Sequence, residues 1–448
     1  MQATLFGAPA ATNGFRDSSF AKNKNLPLHR WVPWIAGFSA DFVEDAIRNY
    51  LPAKNGDCWV LDPFTGVGTT LVESYLNGLN VVGFEINPYA ALAAKMKLGA
   101  RRIPVPDLAS RISAFDRFMD RVESGRLKHG PRSHPPTGFH GRTQLFSPKV
   151  QNKVLHALDF INSIEDSSLR DVFRLGFGSV MVSFSNYSYE PSLTRRIAVG
   201  KTNIEDDNVG RKVSAKLRLM LEDIAWLQSH MKSLGQRPSA KIFSNSIFSA
   251  LECLDQRNFV DLLVTSPPYL NNYHYPRNTR PQLHWLGFTS GTGYSGAREN
   301  ESFGKFWQTV RDSEPIRLQF EMPELEKVID TIRKRNTEKG CYGGPGWANY
   351  VATYFNDTYR FCQVLCHLLK PKAVSIIVLG NSIIQGIEVR TDEFFGRIGV
   401  LAGLTFEHNH LLRNKRTGSS IIQSSVRVEE AKEKTVLYES GVVLRKAS

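Results

Sequence analysis

Two short stretches hold residues whose types and spacing could do chemistry. The first is 62-DPFTGVGTT-70, an aspartate, an aromatic and two glycines at what reads as a strand-to-helix turn. Glycines at such a turn let a ligand approach the backbone at the carboxyl edge of a sheet. Glu85 closes the next apolar run, where an acid can accept both hydroxyls of a ribose. The third glycine of a dinucleotide fingerprint is missing, since Thr69 and Thr70 follow Gly68. That argues for a ligand with a ribose but no pyrophosphate to lay on the helix N-terminus.

The second stretch is 261-DLLVTSPPYLNNYHYPR-277, in which an apolar run meets Ser266, Pro267, Pro268 and Tyr269. Neither proline can donate to a ladder and each fixes φ, so a buried strand must stop there. Beyond the strand lies a stiff corner presenting a hydroxyl, a carbonyl and an aromatic face. Such a corner can hold those three groups rigidly over a ligand, though a plain strand stop with a tyrosine cap has the same pattern.

The elements that must position these residues are legible from periodicity. Residues 57–97 read as a strand (Cys58–Leu61), the glycine turn, a helix (Thr69–Leu76), a strand (Val81–Glu85) and a helix after Pro88. That is a βαβ unit, the start of a doubly wound parallel sheet. A helix begins after Ser39, a plausible N-cap. From 101 to 240 the composition changes: a Pro-, Gly-, His- and Arg-rich loop at 124–144, then helical patterns near 148–165, 168–184 and 211–231. Strand patterning resumes at 241, a Gly- and Ser-rich stretch (287–304) looks mobile, and 349–371 is strongly helical before the apolar strand 373–382. A helix near 391–402 follows, and 434–446 reads as a terminal hairpin.

DPFTGVGTT, the following GFEINP and the later TSPPY together resemble the S-adenosylmethionine-dependent amino-methyltransferases that act on DNA bases. The resemblance covers roughly 29–100 and 241–448 and leaves 101–240 unplaced. It implies an α/β, Rossmann-like methyltransferase fold: a mostly parallel, doubly wound sheet ending in an antiparallel hairpin, with a largely helical insertion. It implies S-adenosylmethionine as cofactor, held by Asp62, Phe64, Gly66, Gly68, Thr69 and Glu85, with Phe38 against its methionine end. Where the family usually places an acid reading the adenine amine, this chain has Ser244-Asn245-Ser246, and Asn245 is the candidate substitute. Ser266, Pro267, Pro268 and Tyr269 take the catalytic role. Their serine form is commoner among enzymes methylating the N4 amine of cytosine, the aspartate form among those acting on the N6 amine of adenine. The reading is therefore a cytosine-N4 methyltransferase of duplex DNA, acting on a flipped base and paired with a restriction or defence component. Adenine N6 and, further off, the N2 amine of guanine in RNA stand as alternatives. No Pro-Cys dipeptide occurs, which argues against C5-cytosine chemistry through a cysteine nucleophile.

The corresponding organisation is a tail (1–24), a first catalytic part (25–100), a basic helical insertion suited to target recognition (101–240) and a second catalytic part (241–448) with a mobile insertion about 287–348. A net charge of +13 fits a polyanionic partner such as double-stranded DNA. Tyr273 and His274 are placed to line the base pocket; Arg195, Arg196, Lys201, Arg413, Lys415 and Arg416 are candidates for phosphate contacts. The five cysteines show no CxxC spacing, so neither disulfides nor metal are expected. No apolar run is long enough to span a bilayer and the N-terminus lacks a signal-peptide layout, so a cytoplasmic protein is expected.

Overall fold

The computed structural model describes residues 14–16, 18, 20–34, 37–51, 57–138, 144–190, 192–235, 237–271, 275–289, 300–335, 346–415 and 437–448. Helix α1 (Ala40–Tyr50) starts where Ser39 accepts a hydrogen bond from the Phe42 amide at 3.2 Å. Strand β1 (Trp59–Asp62), helix α2 (Thr69–Leu76), strand β2 (Asn80–Phe84) and helix α3 (Pro88–Gly99) follow as the βαβ unit and its continuation. Asn87 caps α3 by accepting from the Tyr89 and Ala90 amides, and Pro88 takes the first helical position, where its missing N–H has no intrahelical use.

The insertion is helical, as its periodicity suggests. It comprises α4 (Val105–Glu123), α5 (Pro148–Asn162), α6 (Ser167–Val180), a small ribbon of β3 (Tyr187–Tyr189) and β4 (Leu193–Arg195), and α7 (Val209–Leu234). The chain then returns to the sheet through β5 (Ala240–Phe243), α8 (Ala250–Cys253) and β6 (Val260–Thr265). Beyond the proline corner come α9 (Tyr275–Trp285), α10 (Trp307–Val310), α11 (Pro323–Arg335) and α12 (Gly346–Leu368). Strand β7 (Leu369–Gly380), the ribbon of β8 (Ser382–Ile384) and β9 (Ile387–Val389), α13 (Thr391–Leu401), β10 (Leu404–Lys415) and β11 (Leu437–Lys446) complete it.

Seven of these strands form one sheet in the order β10-β11-β7-β6-β1-β2-β5. Pairing is parallel from β7 through β6, β1 and β2 to β5, and antiparallel where β11 meets β7 and β10. The chain winds outward from β1 to β2 and β5, then crosses back to lay β6 on the other side of β1. That reversal opens a crevice beyond the carboxyl ends of β1 and β6. The central strands are covered on both faces: Val60, Leu61, Leu262, Leu263, Val264, Ile376 and Ile377 are fully buried. Segment 434–446 is not itself a hairpin. Its described part is a single strand, β11, and the terminal antiparallel pair is the one it makes with the preceding strand, β10. Strand composition alone does not reveal that pairing.

One hydrophobic core joins the insertion to the cofactor-side helices: Phe115, Phe173, Val213 and Met220 pack into the same cluster as Leu71 and Val72 of α2 and Ala93 of α3. Leu283 and Trp285 of α9, the helix after the proline corner, belong to that cluster too. A buried polar tie reinforces it. Asp223 of α7 accepts from the Leu28 amide at 2.8 Å, from Trp31 Nε1 at 2.9 Å and from the Arg30 guanidinium. The insertion thereby grips residues 28–31, just ahead of Trp34 and Phe38. Among the described residues, no helix is long and apolar enough to cross a membrane, and no group of three or more His, Cys, Asp or Glu could hold a metal ion.

Removing one partner from such a buried cluster leaves the others uncompensated, so Asp223→Ala should cost about 3–5 kcal/mol. Denaturant titration followed by circular dichroism checks this, and an unchanged midpoint would show that α7 does not anchor residues 28–31.

Candidate functional site

Asp62, the last residue of β1, is buried, and its Oδ1 accepts from the Phe64 amide at 3.1 Å and from Thr265 Oγ1 at 2.6 Å. Thr265 ends β6 and immediately precedes Ser266, so this carboxylate links the glycine turn to the proline corner. Burial pushes Asp62 up to about 6, and the hydrogen bonds it accepts oppose that rise. The turn itself needs glycine. Gly66 has φ 51° and Gly68 φ 90°, in the left-handed region. A Cβ on Gly66 would lie 3.2 Å from the Trp34 indole nitrogen, and one on Gly68 would lie 3.1 Å from Ala94 Cβ. Beneath the turn, the buried Lys97 donates to the Val67 carbonyl at 2.8 Å, and burial lowers its amine to about 7.

Glu85 follows β2. Its Oε2 accepts from the Gly66 amide and its Oε1 from the Asn87 amide, each at 2.7 Å. Burial pushes the carboxyl up to about 7, against those two amides. A carboxylate has about four lone-pair sites, so two remain for a ligand's hydroxyls.

These groups border a cleft of about 340 Å³ at the carboxyl edge of the parallel strands. Of the residues anticipated for a cofactor, Phe38, Phe64, Gly66, Glu85 and Asn245 line it. Asp62, Gly68 and Thr69 stand behind the lining, where they shape the turn. Ser266, Pro268 and Tyr269 line the same cleft, so the two motifs share one cavity. Pro267 lies between them in the chain and does not line it.

The candidate phosphate-binding residues are scattered. Arg413 lines the cleft and is ion-paired to Glu439 at 2.5 Å, which places it inside the site. Arg195 ends β4; Arg196 Nε donates to the Thr202 carbonyl at 2.7 Å, and Lys201 is ion-paired with Glu190. None of these three borders the cleft. Tyr273, His274 and Arg416 lie outside the described residues, and of Lys415 only the backbone in β10 is described.

Several cleft residues escaped the sequence reading. Trp34 faces Gly66; Glu301, Phe303 and Phe306 come from the stretch read as a mobile insertion; and Tyr350 comes from a helix read as core alone. The Phe303 ring packs edge-on against Phe64 at 5.2 Å, which makes 301–306 a wall of the site. Glu439 did carry a signal, because it is an acid in the middle of the apolar strand 437-LYESGVVLRK-446.

No family model matches the sequence. The chain is 24% identical over 441 residues to the type II methyltransferase M.BsoBI of Geobacillus stearothermophilus, spanning 90% of this chain and 83% of that protein. It is 23% identical to the type II methyltransferase M.AvaI of Anabaena variabilis, over 90% of this chain and 84% of that one. The type II methyltransferase M.MvaI of Kocuria varians is 22% identical over 74% of this chain and 72% of its own. Among solved structures, the rRNA methyltransferase aviRa from Streptomyces viridochromogenes covers 92% of this chain and 87% of its own at 10% identity. The TM-score is 0.30. Along nine-tenths of its length, the chain is a distant homologue of the type II methyltransferases.

Proposed function

We propose that the protein transfers a methyl group from S-adenosylmethionine to the exocyclic N4 amine of cytosine in duplex DNA, as the modification partner of a restriction or related defence system. The observation that carries this is one cleft lined by both Glu85 with the Gly66 turn and the Ser266–Tyr269 corner. The type II methyltransferase relatives support methyl transfer as the activity.

The cleft suits the cofactor. Glu85 has acceptor sites left for two ribose hydroxyls, Ile86 and Ile247 offer apolar surface for an adenine, and Trp34 and Phe38 add aromatic walls. When bound, the cofactor supplies an electrophilic methyl on a sulfonium. An exocyclic base amine is a poor nucleophile, because its lone pair is delocalised into the ring. In the proposed reaction the Ser266 hydroxyl accepts a hydrogen bond from the amine N–H, favouring tetrahedral geometry at nitrogen as it attacks. Pro268 keeps the corner stiff. The Tyr269 ring stacks the base, which must leave the duplex to reach the corner. The serine form of the corner favours cytosine N4 over adenine N6. Of the basic candidates, Arg195 and Arg196 are the better placed for phosphates, since Lys201 is neutralised by Glu190.

Three outcomes test this. Incubation with methyl-labelled cofactor and mixed-sequence duplex DNA, followed by nucleoside mass analysis, should yield N4-methylcytosine. N6-methyladenine would overturn the base assignment, and no labelled nucleoside would overturn the reaction.

Glu85 lies above the ordinary carboxyl range, so it becomes protonated as pH falls through about 7. The ribose hydroxyls donate to the ionised form, so cofactor affinity should rise with pH through that value and level off above it. Glu85→Ala should bind roughly ten- to a hundredfold more weakly at the plateau and lose this part of the pH dependence. Calorimetry across the range is the check; an unaltered profile removes Glu85 from the site.

Ser266→Ala should slow single-turnover methyl transfer by roughly five- to 150-fold with cofactor affinity nearly intact, because its hydrogen bond matters as the amine rehybridises. Wild-type turnover in that variant would reduce the corner to a strand stop.

A further inference from the structure

Glu439 is an acid at the heart of the cleft that the reaction above does not use. It sits near the start of β11, facing Gly380 of β7 and Arg413 of β10 in the sheet register. Because β11 runs against the parallel strands, its start lies at their carboxyl edge, beside the proline corner. The side chain is buried, with 5% exposure. Its Oε1 accepts from the Tyr269 hydroxyl at 3.0 Å. Its Oε2 accepts from Arg413 Nε at 2.5 Å and from Ser18 Oγ at 3.3 Å. A Cβ on the cross-strand neighbour Gly380 would run into the Tyr438 backbone carbonyl, so glycine lets β7 and β11 pair closely at this point.

The strand that carries Glu439 is itself pinned from behind. Side chains alternate across a strand, so Tyr438 and Ser440 face the opposite side from Glu439. There the buried Asp392 of α13 accepts from the Tyr438 hydroxyl at 3.0 Å and from Ser440 Oγ at 3.1 Å. It also accepts from Asn409 Nδ2 at 2.6 Å, which ties in β10, and the Tyr438 amide donates to Asn381 Oδ1 at 3.0 Å, which ties in the end of β7. A one-residue slip of β11 would break every one of these bonds and turn Glu439 out of the cleft.

We infer that Glu439 is the positioning residue for Tyr269: it holds the phenol by its hydroxyl, with Arg413 as counter-charge, so that the ring stands at a set angle beside Ser266. The part of this that concerns base capture rests on the proposed function; the orientation of the ring does not. A phenol tethered only through its Cα–Cβ bonds would sample several rotamers. A carboxylate hydrogen bond selects one, and the ring is in place before a base arrives. The Arg413 guanidinium stands beside the carboxylate as its counter-charge, and a charge-assisted hydrogen bond is the stronger kind.

The test combines two readouts. With 3-fluorotyrosine at position 269, the 19F resonance of the parent should be single and narrow, and Glu439→Ala should shift or broaden it while circular dichroism remains unchanged. An unmoved resonance overturns the inference. The second readout uses duplex carrying 2-aminopurine at the target position, whose fluorescence rises on extrusion. Tyr269→Phe, which keeps the ring and removes the hydroxyl, and Glu439→Gln, which removes the charge, should each weaken capture by roughly five- to tenfold. The double variant should be no worse than the poorer single one, and calorimetric affinity for S-adenosylmethionine should stay at the parent value in all three. Additive losses, or loss of cofactor affinity in Glu439→Gln alone, would mean that Glu439 acts directly on a ligand and would overturn the inference. A shifted 19F resonance with no extrusion by the parent protein would support the positioning role and count against base capture as the function of the site.

Discussion

The Asp62 carboxylate, sealed at the switch point of the sheet, is the joint on which the site depends. It stands at the end of β1 and accepts from Phe64 in the glycine turn and from Thr265 at the end of β6. One side chain thus sets the distance between the turn that would hold a cofactor and the corner that would present an amine. Methyl transfer needs those two partners in line, and a misplacement of an ångström is expensive in rate. Burial makes this joint costly for an ionised group, as the rise of Asp62 to about 6 reflects. The compensation is rigidity, because a carboxylate in a dry site cannot exchange its partners for water.

The same logic extends outward in two directions. Towards the insertion, Asp223 of α7 holds residues 28–31, and a shared hydrophobic core binds α4–α7 to α2 and α3. The insertion is therefore mechanically continuous with the wall that carries Trp34 and Phe38. Helix α9 also packs into that core directly after the proline corner, so the corner is braced from both of its ends. Towards the far edge of the sheet, Asp392 fixes β11, and β11 delivers Glu439 to Tyr269. Three buried aspartates on three different elements thus hold the turn, the insertion and the antiparallel edge in a common frame. Each is satisfied by several donors, which is what makes its burial tolerable.

Charge is distributed less simply than a net +13 suggests. Arg413 is ion-paired with Glu439 and Lys201 with Glu190, so part of the positive charge is neutralised within the fold. Counting cations along the chain does not reveal which of them face solvent free of a carboxylate.

What was legible in the sequence was whatever local chemistry dictates. The apolar runs, the Ser39 cap, the Gly66 and Gly68 turn and the proline stop at 267–268 each depend on residues within a few positions of one another. They specified the βαβ unit, the helical insertion and the motifs sharing the cleft. Helix α4 lay unmarked in the region of changed composition, and the insertion's helices were located better than their ends. Long-range pairing was decided by the tertiary structure: β11 with β7, Asp223 with residues 28–31, and Glu439 with Tyr269. In all of these the partners lie far apart along the chain, and whether a buried acid is tolerated depends on donors that only the fold brings within reach. The wall at 301–306 shows the same limit, because a Gly-, Ser- and charge-rich stretch has no periodicity to betray that Phe303 packs on Phe64. Sequence alone therefore determined the chemistry available at the turn and the corner. The geometry that makes one site of them came from contacts between segments that no local pattern connects.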